Sequence, residues 1–252
     1  MMQTICTMHA ECNINVDPRT ADGGEPMTPD VAAAFAGDWT LEIVVVTRAH
    51  VPVLGDFLAR SRSELAVRLD VGAGGAAQTQ RVCSTTVNEG RGIVRTEIPP
   101  AFIAALPVVS FPVDIAERDG SWGYAADFGR QVLGWDGLGV VPSDPLDPRV
   151  RDDDGDGHPG LTVRVEAPLV GTGAVYVVQA GRTTVSGTWD GTAFFGAVNV
   201  PEFAQSVIGA SARMLLSGPT VRPAAELSSF RMTRGVASCG PILGAPPTRP
   251  PG

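Results

Sequence analysis

A chain of 252 residues with 30 Gly and 21 Pro can bury one large core, but both residues disfavour long helices. Its formal charge of -8, with the Arg residues scattered along the chain, argues against nucleic-acid binding, which needs a clustered basic surface. No run reaches the roughly 18 apolar residues of a membrane helix, so no membrane span is expected.

Met1 to Ala10 has neither the basic start nor the apolar stretch of a secretory signal. The expectation is that a targeting segment was removed upstream, with a lipid anchor lost with it as one possibility. Cys6, Cys12, Cys83 and Cys239 lack the short paired spacings of a zinc site. Cys6–Cys12 with Cys83–Cys239 is one of three pairings open to four cysteines. An exported location, whether secreted, periplasmic or cell-surface, is expected. Residues 1–36 read as an irregular N-terminal segment.

From Gly37-Asp38-Trp39 the chain becomes strand-like, with Trp39 to Val46 rich in β-branched residues. Further strands are expected at 63–71, 78–87, 91–98, 111–117 and 122–128. Leu161 to Glu166 alternates apolar with polar, as a strand with one wet face does. Ala174 to Ala180 and Arg182 to Trp189 flank Gly181, which predicts a tight hairpin. Asp190-Gly191 predicts a second turn before Thr192 to Val198, and Ala225 to Thr233 is the last strand.

Two short helices are expected. Pro99 to Leu106 begins with prolines suited to a first turn and stops at Pro107. Pro201 to Leu216 puts Phe203, Val207, Ala210 and Met214 at helical spacing. The fold class is therefore all-β: an antiparallel β-barrel, lipocalin-like or larger, over residues 37–239. An acidic connection at 143–160 joins its halves, and 240–252 forms a flexible Pro-rich tail.

Asp152-Asp153-Asp154-Gly155-Asp156-Gly157 is the strongest chemical signal. Carboxylates at Asp152, Asp154 and Asp156 occupy positions one, three and five of a potential cation loop, and Gly157 occupies the turn at six. The run resembles the calcium loops of EF-hands and, more closely, the Asp-Gly-rich repeats of thrombospondin type 3. That resemblance implies Ca2+ as the bound ion, with His158 adding its backbone oxygen. Gly160 stands where another acidic residue is common, and Val163 stands where a bidentate Glu belongs. Asp144 and Asp147 are the nearest outside donors, and the expected affinity is extracellular-like. The run from Asp152 to Val165, followed by Gly173 to Gln179, is also similar to exported β-rich proteins of myxobacteria. Gly37-Asp38-Trp39 resembles the start of a lipocalin first strand.

Trp39, Trp122, Tyr124, Tyr176 and Trp189 are expected either to pack a core or to line a cavity that orients a ligand. Asp38, Glu42, His50 and Tyr124 are candidate acids or bases. The leading reading is a calcium-stabilised barrel that binds a small, mostly apolar molecule. One alternative is a cyclase or isomerase acting on an apolar substrate within the barrel. Another is a structural or adhesive domain stiffened by calcium, with a filled interior and an exposed contact patch.

Overall fold

The computed structural model describes residues 29–51, 55–72, 74–89, 95–167, 171–216 and 220–242. Among the described residues, eleven strands form one antiparallel sheet: β1 Gly37–Val51, β2 Gly55–Gly72, β3 Gly75–Glu89, β4 Arg95–Glu97, β5 Val109–Arg118, β6 Ser121–Leu133, β7 Leu161–Ala167, β8 Gly171–Trp189, β9 Ala193–Ala210, β10 Thr220–Pro223 and β11 Ser229–Arg234. Helix α1 spans Pro29–Phe35 and α2 spans Pro100–Ala105, the latter with proline in its first turn as expected. Part of the segment expected to be irregular is therefore helical, and its Phe35 is buried in the core.

The expected lipocalin-like barrel is corrected. Such a barrel runs as a meander of sequence neighbours around a hollow interior. Here the strand path is β4-β7-β8-β6-β5-β3-β2-β1-β11-β9, with β10 branching onto β1. Strand β11 separates β1 from β9, and β8 lies between β6 and β7. The path runs from β4 to β9, and β9 also pairs along β8, curling the sheet over its inner face.

That inner face is filled. Trp39, Leu41 and Ile43 alternate inward on β1, as period-two geometry requires. They meet Leu65, Val67 and Leu69 from β2, Tyr124 and Phe128 from β6, Phe194 from β9, and Phe230 and Met232 from β11. Phe35 caps the cluster, with ring centroids 5.2 Å from Phe194 and 5.4 Å from Trp122. Its carbonyl accepts the Trp39 indole N–H at 2.9 Å. Side chains of this size each contribute about 1.5–3 kcal/mol when fully buried. Trp39, Trp122, Tyr124 and Trp189, expected as possible ligand contacts, instead pack against one another and their neighbours.

Two local expectations are overturned by the partners of β8. Gly181 sits opposite Gln131 on one side and Phe203 on the other, so the chain runs through it instead of turning. Nineteen residues form one strand. Residues 201–210, expected to be helical, extend β9, because β8 offers them a ladder from Val175 to Arg182. Pro201 falls where the register shifts between β8 and β9, a place that tolerates a missing donor. Only Arg213–Leu215 is helical, as a single 3-10 turn. The expected strand at 225–233 begins instead with a 3-10 turn at Ala225–Leu227. Of the strand expected at 91–98, Arg95–Glu97 forms, and 91–94 lie outside the described residues. The turn at Asp190-Gly191 forms, with the Asp190 carboxylate accepting from the Thr192 and Ala193 amides.

Cys83 is bonded to Cys239. Cys6 and Cys12 lie outside the described residues. Ile242 is buried against Ala66 and Ala237, so the chain is held a few residues beyond the expected start of the tail.

A buried polar chain runs through the core. Tyr124 donates its hydroxyl to Gln78 at 2.5 Å, and the Gln78 amide donates to Gln80 at 2.8 Å. Replacing Tyr124 with Phe leaves the Gln78 acceptor without that donor in an apolar surround. A loss of about 1–3 kcal/mol is expected from chemical denaturation, whereas an unchanged midpoint would show that the bond adds nothing.

Candidate metal centre

The connection between β6 and β7 is folded onto the outside of β8. Trp135 anchors it: the indole is buried with Val178, Ala180 and Ile208, and its N–H donates to the Gln179 carbonyl at 3.0 Å. Arg130 and Arg149 lie over the Trp135 ring at 5.6 and 5.7 Å. Arg149 also fixes the intervening turn by donating to the carbonyls of Leu138 and Val140.

Two glycines bring the acidic loop against the sheet. Gly160 has φ +83°, and a Cβ there would lie 2.5 Å from the Val177 carbonyl oxygen. A Cβ on Gly134, at φ +76°, would lie 2.9 Å from the Gly160 Cα. No side chain fits between these backbones, which explains why position 160 carries no acidic ligand. Val163 is likewise committed to β7, opposite Val175, so the place of a bidentate Glu is taken by a ladder residue.

Asp152, Asp154 and Asp156 each direct a carboxylate oxygen to one place, all within 4.8 Å of one another. This acidic cluster at the surface has the donor set for a metal ion. Both Asp152 oxygens accept loop amides, from Gly155 at 2.8 Å, Asp156 at 3.1 Å and Gly157 at 2.9 Å. Asp156 accepts from the His158 amide at 2.9 Å and the Thr162 hydroxyl at 2.6 Å. Asp154 accepts the Thr162 amide through Oδ2, but its buried Oδ1 has no hydrogen-bond partner. A hard cation suits that orphaned oxygen and the converging charges.

Electrostatics set Asp152 and Asp154 apart. The amides of Gly157, Gly155 and Asp156 outweigh desolvation and hold Asp152 below the ordinary carboxylate range. Asp154 is pushed upward, first by desolvation and then by the neighbouring Asp156 and Asp152 charges, against the Thr162 amide.

Other expected members are placed elsewhere. Asp144 caps the Leu146 amide, and Asp147 pairs with Arg149 at 2.6 Å, so neither joins the cluster. The His158 ring stacks on Tyr176, centroids 4.3 Å apart, which gives Tyr176 a place beside the loop instead of in the main core. Asp38, Glu42 and His50 lie along β1 and contact Arg68, Arg62 and Asp56 respectively. Tyr124 is inside the core, so the four candidate acids and bases do not converge.

Sequence reasoning missed Asp153, whose carboxylate accepts the Gly134 amide at 2.8 Å and ties the loop to the end of β6. It also missed Thr162, which orients both Asp154 and Asp156. The alternation of the Asp run carried the first signal, since position 153 points away from 152, 154 and 156. No family model, curated protein or solved structure matches the chain.

Gly160→Ala should unseat the loop at a cost of about 2–4 kcal/mol, combining left-handed strain with overlap. Gly155→Ala, at φ +69° with open space around it, should cost only about 1–2 kcal/mol. Equal melting shifts for the two variants would contradict the close-approach argument.

The pH dependence has two parts. Asp147 is lowered to about 2 by its bonds with Arg149, and Asp190 to about 2 by the Thr192 hydroxyl and nearby amides. Depressed carboxyls stabilise the fold above their unfolded value of about 4 and lose that contribution as pH falls toward 2. Asp154 has the opposite sign: its ionised form opposes folding at neutral pH, and protonation relieves this. Metal-free protein should lose stability as pH falls below about 4 and the depressed carboxyls protonate, with protonation of Asp154 offsetting part of that loss. Denaturation midpoints measured across that range provide the check.

Proposed function

We propose that this chain is a structural or adhesive β domain of an exported protein, stiffened by Ca2+ at Asp152, Asp154 and Asp156. The observation that carries the reading is the unpartnered Asp154 Oδ1 within a group of three converging carboxylates. Calcium supplies the positive charge that this oxygen lacks, and oxygen donors are its preferred ligands. Water and backbone oxygens complete the shell, because the loop supplies only three side chains. The affinity expected of so open a site is in the range of about 0.1–1 mM, typical of extracellular modules.

The packed interior supports a scaffold, as does the exposed apolar surface of the same connection. Leu138, Val140 and Leu146 are 70%, 83% and 87% exposed, on backbone that Arg149 partly fixes. Rigidly presented apolar groups suit contact with another surface. The Cys83–Cys239 bond favours an oxidising compartment.

Calcium titration followed by calorimetry and thermal melting tests the metal. Wild-type protein should bind with sub-millimolar to millimolar affinity and melt higher as calcium rises, by the linkage of ligand to the folded state. Asp154→Asn should melt at least as high as wild type without calcium, since a disfavoured charge is gone, yet lose the calcium-dependent rise. A calcium response that survives this substitution would refute the assignment.

A further inference from the structure

The Cys83–Cys239 bridge joins a β-bulge to a segment that belongs to no strand. On β2 and β3, Glu64 lies opposite Ser84 and Leu65 opposite Val82, so Cys83 is the extra residue of the bulge. An extra residue re-aims side chains and interrupts the ladder. Beyond β11, residues 235–242 cross the outer surface at this place, and none of them joins a strand.

Among the described residues, the noncovalent hold on this strap is slight. Ala237 and Ile242 pack on Ala66, with Cys83 alongside. The Ser238 amide donates to Glu64 at 2.7 Å, and Arg81 donates to the Cys239 carbonyl at 2.7 Å and the Gly240 carbonyl at 3.5 Å. At the near end, the Gly235 amide donates to the Asp38 carbonyl at 3.0 Å. A strap with one small apolar contact and a few exposed hydrogen bonds recovers little of the conformational entropy lost on ordering it. The sheet beneath has its own ladders and a separate core.

We propose that the Cys83–Cys239 bond is a redox-sensitive latch: reduction frees the 236–242 strap and presents the Cys83 thiol in its bulge, while the sheet stays folded. Cys239 is exposed and Cys83 half-buried, so the outer sulfur is the one open to attack. A dithiol reductant supplies the reaction. Its thiolate attacks Cys239 Sγ and expels Cys83 as a thiolate, and its second thiol then displaces Cys239 from the mixed disulfide. Two electrons pass to the bridge, both protein sulfurs take up protons, and the reductant leaves as a cyclic disulfide.

The test is hydrogen exchange on the folded full chain before and after dithiothreitol, with alkylation of Cys83 and Cys239 read by peptide mass. Reduction should raise exchange across 236–242 by about tenfold or more, as expected for local release. Both cysteines should be alkylated, and the amides of β1 to β3 should retain their protection. Cys239→Ser should reproduce the open strap without reductant. Loss of protection throughout the sheet on reduction would make the bond a global staple and overturn the latch. Unchanged protection of the strap, or resistance of the bond to the reductant in the folded state, would overturn it equally.

Discussion

Strand β8 is the constraint on which the architecture depends. Along one edge it pairs with β7 and then β6, and along the other with β9 from Val175 to Trp189. A strand satisfied on both edges cannot turn midway, so Gly181 is carried through extended and β9 is drawn into a long ladder beside it. With its backbone groups committed to ladders, β8 uses its two faces separately. Val185 faces the main core, whereas Val178 and Ala180 face the connection between β6 and β7.

That second face links fold to chemistry. Trp135 covers Val178 and Ala180, and Gly134 and Gly160 let the backbone approach Val177. The acidic loop is then fastened at both ends: Asp153 to Gly134, and Asp154 and Asp156 to Thr162 at the start of β7. The carboxylates of Asp152, Asp154 and Asp156 are gathered at the surface by a scaffold of ordinary packing and turn chemistry. Their mutual repulsion is the residual electrostatic cost of that arrangement, and a cation is the natural counterweight.

Much of this could be read from local pattern. Strand positions followed from alternation, as at Leu161 to Glu166, and the cation-loop parity followed from three Asp residues two apart. Misreadings arose where a local cue met a distant partner. Phe203, Val207, Ala210 and Met214 do have helical spacing, but the ladder offered by β8 decides their state. Gly181 has the composition of a turn but the neighbours of a strand centre. The closed, hollow barrel was inferred from the need to satisfy edges, and neither the placement of β11 between β1 and β9 nor the filling of the interior is visible from strand propensity. The loop's seat was hidden for the same reason: Trp135 and Gln179 are 44 residues apart.

The position of Trp135 also has an optical consequence. Trp39, Trp122 and Trp189 belong to the aromatic core, while Trp135 alone among the four indoles lies under the acidic connection, flanked by two guanidinium groups. Its excited state experiences the field of that surface, so the native chain carries a built-in fluorophore beside its most highly charged loop. Emission from a variant retaining only this indole would report on the connection without an added dye.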